Sequence, residues 1–320
     1  MNKQPLVSFI MTCYNFEKYI GTALQSLLEQ KGNYETEIII FDDNSTDNSA
    51  NRIAQINDKK IIFIANKTNQ GAAACINKGF EMAKGKYICR FDGDDKWTPD
   101  FLETVIPIME QNPDVGLLFG NYMPMDADGN TFTEQKVSRP KYLQTKDNDF
   151  KAVLESYYMN APTIIFRKQA LQTAFPIPQK FRNSLDWYLT LTILHTQTWK
   201  NYYLDKALAY YRIHENNQHR RGVQEKTEQK IMEIILQEFV ENNDTLTQTE
   251  KKNIYGTNYR LLAFKYYSAN MLADARIFFR KAVKYQKNYL LDMTFVRFFL
   301  LAYTGNKGYE KIKKLLFKNK

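Results

Sequence analysis

Residues 6 to 11 form a short, largely apolar run that predicts a strand. Behind Asn15, expected to serve as an N-cap, Ile20, Ala23, Leu24, Leu27 and Leu28 recur at helical spacing. A second continuous apolar run at 37–41 ends in Asp42-Asp43-Asn44-Ser45, and a third strand is predicted at 61–65. Residues 72–83 read as a second helix, and 87–91 as a fourth strand that ends in Asp92-Gly93-Asp94-Asp95. Apolar strands alternating with helices predict an α/β fold of Rossmann-like kind, a mostly parallel sheet flanked by helices on both faces.

Between 120 and 185 the pattern is irregular and punctuated by Pro124, Pro140, Pro162, Pro176 and Pro178, after which 186–199 reads as a helix. Beyond Gly222 the chain is helical almost to its end, with an apolar face at Ile231, Ile234, Ile235 and Phe239. The change predicts a domain over 1–220 and a C-terminal helical unit over 221–320, read as a lid or docking module. Within it, 266–285 resembles one tetratricopeptide-like helix pair with its second helix at 273–282.

With 320 residues, 44% apolar and 25% charged, and only 13 Gly and 9 Pro, the composition excludes a disordered or collagen-like chain. The net charge of +9 is unevenly spread. Residues 257–320 hold 14 basic and three acidic side chains, net +11, against 30 and 32 in the first 256, net −2. A contact with an anionic partner therefore belongs to the C-terminal segment. Cys13, Cys75 and Cys89 match neither a disulfide framework nor a metal-ligand spacing, which predicts a reducing, cytoplasmic setting. The N-terminal apolar run is too short for a signal peptide, and 289–303 is interrupted by Asp292 and Arg297, so no spanning helix is expected.

Ligands of open α/β sheets bind at the carboxyl ends of the strands. Here those ends carry Thr12-Cys13-Tyr14-Asn15, Asp42-Asp43 and Asp92-Gly93-Asp94-Asp95. The first turn lacks the GxGxxG of dinucleotide-binding folds, and no Walker A loop or kinase signature occurs, which argues against those classes. Three carboxylates within four residues repel one another unless a cation is present, and oxygen donors of this kind suit Mg²⁺ or Mn²⁺ completed by substrate phosphates. Taken singly, each cluster also reads as a helix cap or a solvated turn. On one sheet edge they make a metal-dependent nucleotide-diphosphate pocket.

The segments 7–15, 40–47, 69–79, 85–88 and 91–95 are similar, in order, to the successive motifs of glycosyltransferase family 2, over about residues 6 to 215. The resemblance implies a GT-A fold and an inverting, metal-dependent transfer from a nucleotide-diphospho-sugar to an acceptor hydroxyl. By matching motif it implies that Thr12 and Tyr14 line the base pocket, with Tyr14 packing on the base, and that Asp43 accepts from a uracil-like N–H. Asp92 would hold the ribose, Asp94 would ligate Mn²⁺ or Mg²⁺, and Asp95 would support the loop. Asp186, at the head of a helix in Ser184-Leu185-Asp186-Trp187, would be the base that deprotonates the acceptor; as a structural feature alone, it is a carboxylate favoured by the helix dipole. The segment 210–217, Tyr-Tyr-Arg-Ile-His-Glu-Asn-Asn, resembles the one that closes the catalytic domain in many members. His214 could there reach metal or diphosphate and Arg212 could brace a phosphate, while residues 160–163 fall where acceptor-side residues lie. Leu185 stands where the family commonly has Glu, and Ile76 where many members have Arg.

The function expected from this resemblance is sugar transfer in surface polysaccharide or glycolipid synthesis, with a UDP-sugar favoured over dTDP and a saccharide or lipid-linked acceptor. Segments 297–301 and 312–318 mix bulky apolar with cationic residues, which suits peripheral contact at the inner membrane face as well as ordinary helix packing. No nucleic-acid partner is expected. An inactive scaffold that binds a partner through its helical tail is the alternative. Retention of Asp94, Asp186 and His214 argues against it, and a sugar-nucleotide pyrophosphorylase would need a Gly-rich, basic first loop that 12–15 does not provide.

Overall fold

A computed structural model describes residues 6–215, 222 and 224–316, with side chains described as far as residue 305. Asn216 and Asn217, and the side chains of the basic segment 312–318, lie outside the described residues. The chain divides into two compact units, one of residues 1–150 and 158–214, the other of residues 151–157 and 215–320.

The first unit opens with β1 (Val7–Cys13), α1 (Ile20–Leu28), β2 (Thr36–Asp42), α2 (Ser49–Ala54), β3 (Ile61–Ala65), α3 (Ala72–Met82) and β4 (Tyr87–Asp92). Ile38, Ile39 and Ile40 are all fully buried, as expected of a strand covered on both faces. Helix α3 lies close on the sheet because residue 79 is glycine: a Cβ there would stand 2.4 Å from the Ile10 side chain. Asn15 does not cap α1. The cap position is Tyr19, and Asn15 instead takes a left-handed backbone (φ 58°) in the preceding turn.

The sheet continues through β5 (Lys96–Trp97), α4 (Phe101–Gln111), β6 (Val115–Met125), β7 (Lys146–Asp147), α5 (Phe150–Glu155), β8 (Ile165–Arg167), α6 (Lys168–Leu171), α7 (Leu185–His195) and β9 (Lys200–Arg212). Its order is β3-β2-β1-β4-β8-β6-β9-β5, with β7 on β9. The long ladders β1·β2, β1·β4, β2·β3 and β6·β9 are parallel, and the short strands β5, β7 and β8 pair antiparallel. The irregular stretch is therefore partly ordered, since β6 runs on to Met125 and β8 inserts between β4 and β6. The helix expected over 186–199 stops at His195, and the 13-residue strand β9 follows, which the apolar pattern does not announce.

In the second unit, α8 (Thr227–Leu236) buries Met232, Ile235 and Leu236, and the π-helical turn Gln237–Glu241 buries Phe239 and Val240. A helix pair follows, α9 (Gln248–Ser268) and α10 (Leu272–Tyr285), so the first helix of the pair begins at Gln248 and only ends near Tyr266. Tyr259, Tyr266, Phe278 and Phe279 fill the space between them. A 3₁₀ turn, Lys287–Leu291, leads to α11 (Met293–Leu316), interrupted at Gly305 (φ 62°). That turn is pinned from inside: Tyr289 stacks on Phe295 (5.2 Å between centroids), and Asp292 accepts from the amides of Thr294 and Phe295 while pairing with Arg260 at 3.2 Å. Leu290, Leu291 and Met293 are left 51%, 82% and 67% exposed. Among the described residues no helix is long and apolar enough to cross a membrane.

Candidate active site

The register of the sheet brings the three polar strand ends together. Thr12 stands opposite Asp92, and Cys13 opposite Asp42. The loops after β1 and β2 are then laced to each other. Asn15 N donates to Ser45 Oγ (3.0 Å), Thr46 N to Asn15 Oδ1 (2.8 Å), Glu17 N to Asp47 Oδ2 (3.0 Å) and Asn48 N to Glu17 Oε2 (2.9 Å). Thr12 is buried at the base of this edge, whereas Tyr14 is 46% exposed and presents its ring outward.

Asp43 is buried, and its carboxylate holds the loop before α3. Oδ1 accepts from Asn66 Nδ2 (2.9 Å) and Gln70 N (2.8 Å), and Oδ2 from Gly71 N (2.8 Å). Gly71 has φ 83°, a backbone that favours glycine and that aims its amide at the carboxylate. Its neighbour Asp42 accepts from Ser45 N through Oδ2 (3.0 Å), while the buried Oδ1 has no hydrogen-bond partner. A buried acceptor without a donor is costly, so Asp42 is a second candidate for ligand contact beside Asp43.

In the acidic turn, Asp94 Oδ2 lies 3.0 Å from His214 Nε2, and the His214 ring packs between Phe16 and Tyr19. Burial raises the Asp94 pKa, an effect only partly offset by the hydrogen bond from His214. Asp95, almost fully buried and likewise raised by burial with the Asp94 charge adding, accepts from Arg212 N at 2.8 Å. Arg212 is not open to a phosphate. Its buried guanidinium donates to the carbonyls of Asp94 (2.7 Å), Asp126 and Ala127 and lies 4.7 Å from the Tyr19 ring centroid, so it braces the turn.

Asp186 sits in the first turn of α7 and meets Asp92 through a residue the sequence reading passed over. Arg90 donates from Nη1 and Nη2 to Asp92 (2.6 and 2.9 Å) and from Nε and Nη2 to Asp186 (both 2.8 Å). Burial opposes its charge, but the two carboxylates outweigh that and hold the guanidinium above its ordinary pKa. A signal was present: Arg90 is two residues before Asp92 on a strand and so shares its face. Asp92, Asp94, Asp95, Asp186, His214 and Thr12 are thus gathered at one edge.

The flanking segments are tied into the fold. Asn77 exchanges hydrogen bonds with the backbone of Ile177 (3.1 and 2.8 Å), and Pro162 O accepts from Trp97 Nε1 at 2.5 Å beside a fully buried Thr163. Among the described residues no three His, Cys, Asp or Glu side chains form a metal-ligand group. Asp94 and His214 contact each other directly at 3.0 Å.

A mixed sheet with helices on both faces and an acidic edge of this kind is the GT-A architecture of nucleotide-sugar transferases. The crystal structure of S. aureus TarS 1–349 in complex with UDP shares the fold, with a TM-score of 0.60 at 17% identity over 98% of this chain and 92% of that one. Residues 8–175 match the family model for glycosyl transferase family 2. An uncharacterized glycosyltransferase of Nostoc sp. is 31% identical over 238 residues, 70% of each chain. The E. coli UDP-Glc:alpha-D-GlcNAc-diphosphoundecaprenol beta-1,3-glucosyltransferase WfgD is 30% identical over 190 residues, 59% of this chain and 70% of the relative. The chain belongs to glycosyltransferase family 2.

Proposed function

We propose that this glycosyltransferase moves a sugar, with inversion, from a nucleotide-diphospho-sugar to an acceptor hydroxyl in the synthesis of a surface polysaccharide or glycolipid. The convergence of Asp92, Asp94, Asp186 and His214 on one sheet edge carries the reading. The exposed Tyr14 ring can stack on the nucleobase, and Asp43, with Asp42 beside it, supplies acceptors for a base N–H. Asp92 keeps a partly open carboxylate for the ribose. A Mn²⁺ or Mg²⁺ ion held by Asp94 and His214 would neutralise charge on the leaving diphosphate. Asp186 takes the acceptor proton as the acceptor oxygen bonds to the anomeric carbon and the bond to the diphosphate breaks on the opposite face.

A UDP-sugar donor is favoured, dTDP being the other candidate, on the motif resemblance and on the UDP named with both TarS and WfgD. WfgD's diphosphoundecaprenol acceptor supports a lipid-linked acceptor here. The +11 C-terminal segment suits a peripheral position on an anionic cytoplasmic leaflet.

The test is release of nucleoside diphosphate from UDP-, dTDP- and GDP-sugars with Mn²⁺, Mg²⁺ or EDTA. One donor is expected to turn over with metal only. Asp94→Ala and Asp186→Asn should each lower the rate by about 100-fold or more. Turnover undiminished by EDTA or by either substitution would overturn the assigned roles.

A further inference from the structure

Asp92 and Asp186 share one cation: Arg90 projects from the middle of β4, is 8% exposed, and forks onto both carboxylates with all four contacts at 2.6–2.9 Å. The arrangement is more than charge balance. A guanidinium is planar, so a carboxylate gripped through Nε and Nη2 is fixed in direction as well as in distance, and Nη2 is shared between the two grips. Both oxygens of each carboxylate are held, yet the Asp92 side chain is 35% exposed and the Asp186 side chain 15%.

We infer that Arg90 is a positioning residue: it sets the Asp186 carboxylate at a fixed place and angle relative to Asp92, and so aligns the acceptor-activating group with the donor. This rests on the reading of Asp186 as the base and extends it to the residue that aims it. The chemistry asks for such a device. A base that faces the bond-breaking centre from the head of a separate helix has only α7 to locate it, and a misplacement of about 1 Å can cost about 100-fold in rate. Without the guanidinium the two carboxylates would repel and turn apart.

The position also weights turnover over binding. Arg90 touches neither Asp94, His214 nor Tyr14 in any described contact but does grip Asp92, so its loss should weaken nucleotide binding through the ribose contact alone while it disorders the base and lowers turnover further. Lys at this position keeps the charge but cannot grip two carboxylates in fixed planes, so it should restore folding more than rate.

The experiment uses the full chain and the donor that turns over in the panel above, with UDP and Mn²⁺ as the binding probe. Arg90→Gln and Arg90→Lys are compared with Asp186→Asn for UDP affinity, for kcat of diphosphate release and for Tm. Arg90→Lys is expected to melt within a few degrees of the unsubstituted enzyme and to bind UDP about tenfold more weakly through the loosened Asp92, with kcat down by about 100-fold. Added guanidinium should recover part of the rate of Arg90→Gln. An Arg90→Lys enzyme with unchanged kcat, or one whose UDP affinity falls as far as its kcat, would overturn the inference. If Asp186→Asn keeps full activity, the base assignment fails instead, and if no donor turns over in the unsubstituted enzyme both readings fall. Should Arg90→Gln not fold, Arg90→Lys alone decides.

Discussion

Cys13 ends β1 at the very edge where the strand ends gather, yet its thiol is inert by environment. Burial, with a smaller push from the Asp42 charge and partial relief from a Ser49 hydrogen bond, raises it to about 12, and burial lifts Cys75 to about 11. Cys89 is fully buried and raised by burial alone. Since the thiolate is the reactive form, all three should resist a thiol reagent such as DTNB at pH 8 in the folded protein and react together in denaturant. Rapid labelling of native Cys13 would show that this edge opens to solvent. At the same scale, the residues readable in advance were those whose side chains mark strand ends: Thr12, Tyr14, Asp43, Asp92, Asp94, Asp95. Arg90 was not, because its shared face with Asp92 points to one partner only, and the other, Asp186, is 96 positions away. Arg212 misled for the opposite reason, as its charge suggests an anionic ligand while its donors are taken by carbonyls.

Elements were legible where local signals agreed. Strands β1 to β4 and helices α1 and α3 carry unbroken apolar runs or faces, whereas β9 gains its place from pairing with β6 on one side and β5 and β7 on the other, which no local pattern encodes. Asn15 shows how a capping residue can be diverted, its carboxamide oxygen accepting from Thr46 N across the loop. Helix α9, by contrast, has a full capping box: Thr247 Oγ1 accepts from Glu250 N, and the Glu250 carboxylate accepts from Thr247 N. Thr247→Ala should destabilise by about 1 kcal/mol in denaturant melts. The Lys151 ammonium, then the Thr247 groups, hold the Glu250 pKa down to about 2 from 4.5. A depressed carboxylate contributes stability above its unfolded pKa and loses it as pH falls through the folded value. The Tm difference between the unsubstituted protein and Glu250→Gln should therefore be constant above about pH 5 and close toward about pH 2. A difference that does not vary with pH would mean that the charge is not what holds the cap.

At the scale of the whole molecule, the chemistry and the positive charge lie in different stretches of the chain. The first 256 residues carry net −2 and include the acidic edge, while residues 257–320 carry +11. In the second unit the pinned turn before α11 holds Leu290, Leu291 and Met293 outward, with Lys284 and Lys287 exposed alongside. Bulky apolar side chains ringed by cations are what a peripheral contact with an anionic leaflet uses. Sedimentation with vesicles containing phosphatidylglycerol should exceed that with phosphatidylcholine alone, fall as salt is raised, and drop several-fold in Leu290→Ser/Leu291→Ser. Equal sedimentation with both lipids would remove the peripheral placement and leave the transferase reading untouched.

The acidic turn is written into the chain long before it is finished. Asp95 is held by an amide 117 residues downstream, and Asp94 by a ring 120 residues downstream. At about 5–20 residues per second of synthesis, a nascent chain exposes its carboxylates for roughly 6 to 24 s before β9 and His214 exist to close around them. Closure of the acidic turn is therefore conferred by the last strand of the sheet and the residues just after it, and a chain cut short before β9 would carry Asp94 and Asp95 without the partners that hold them.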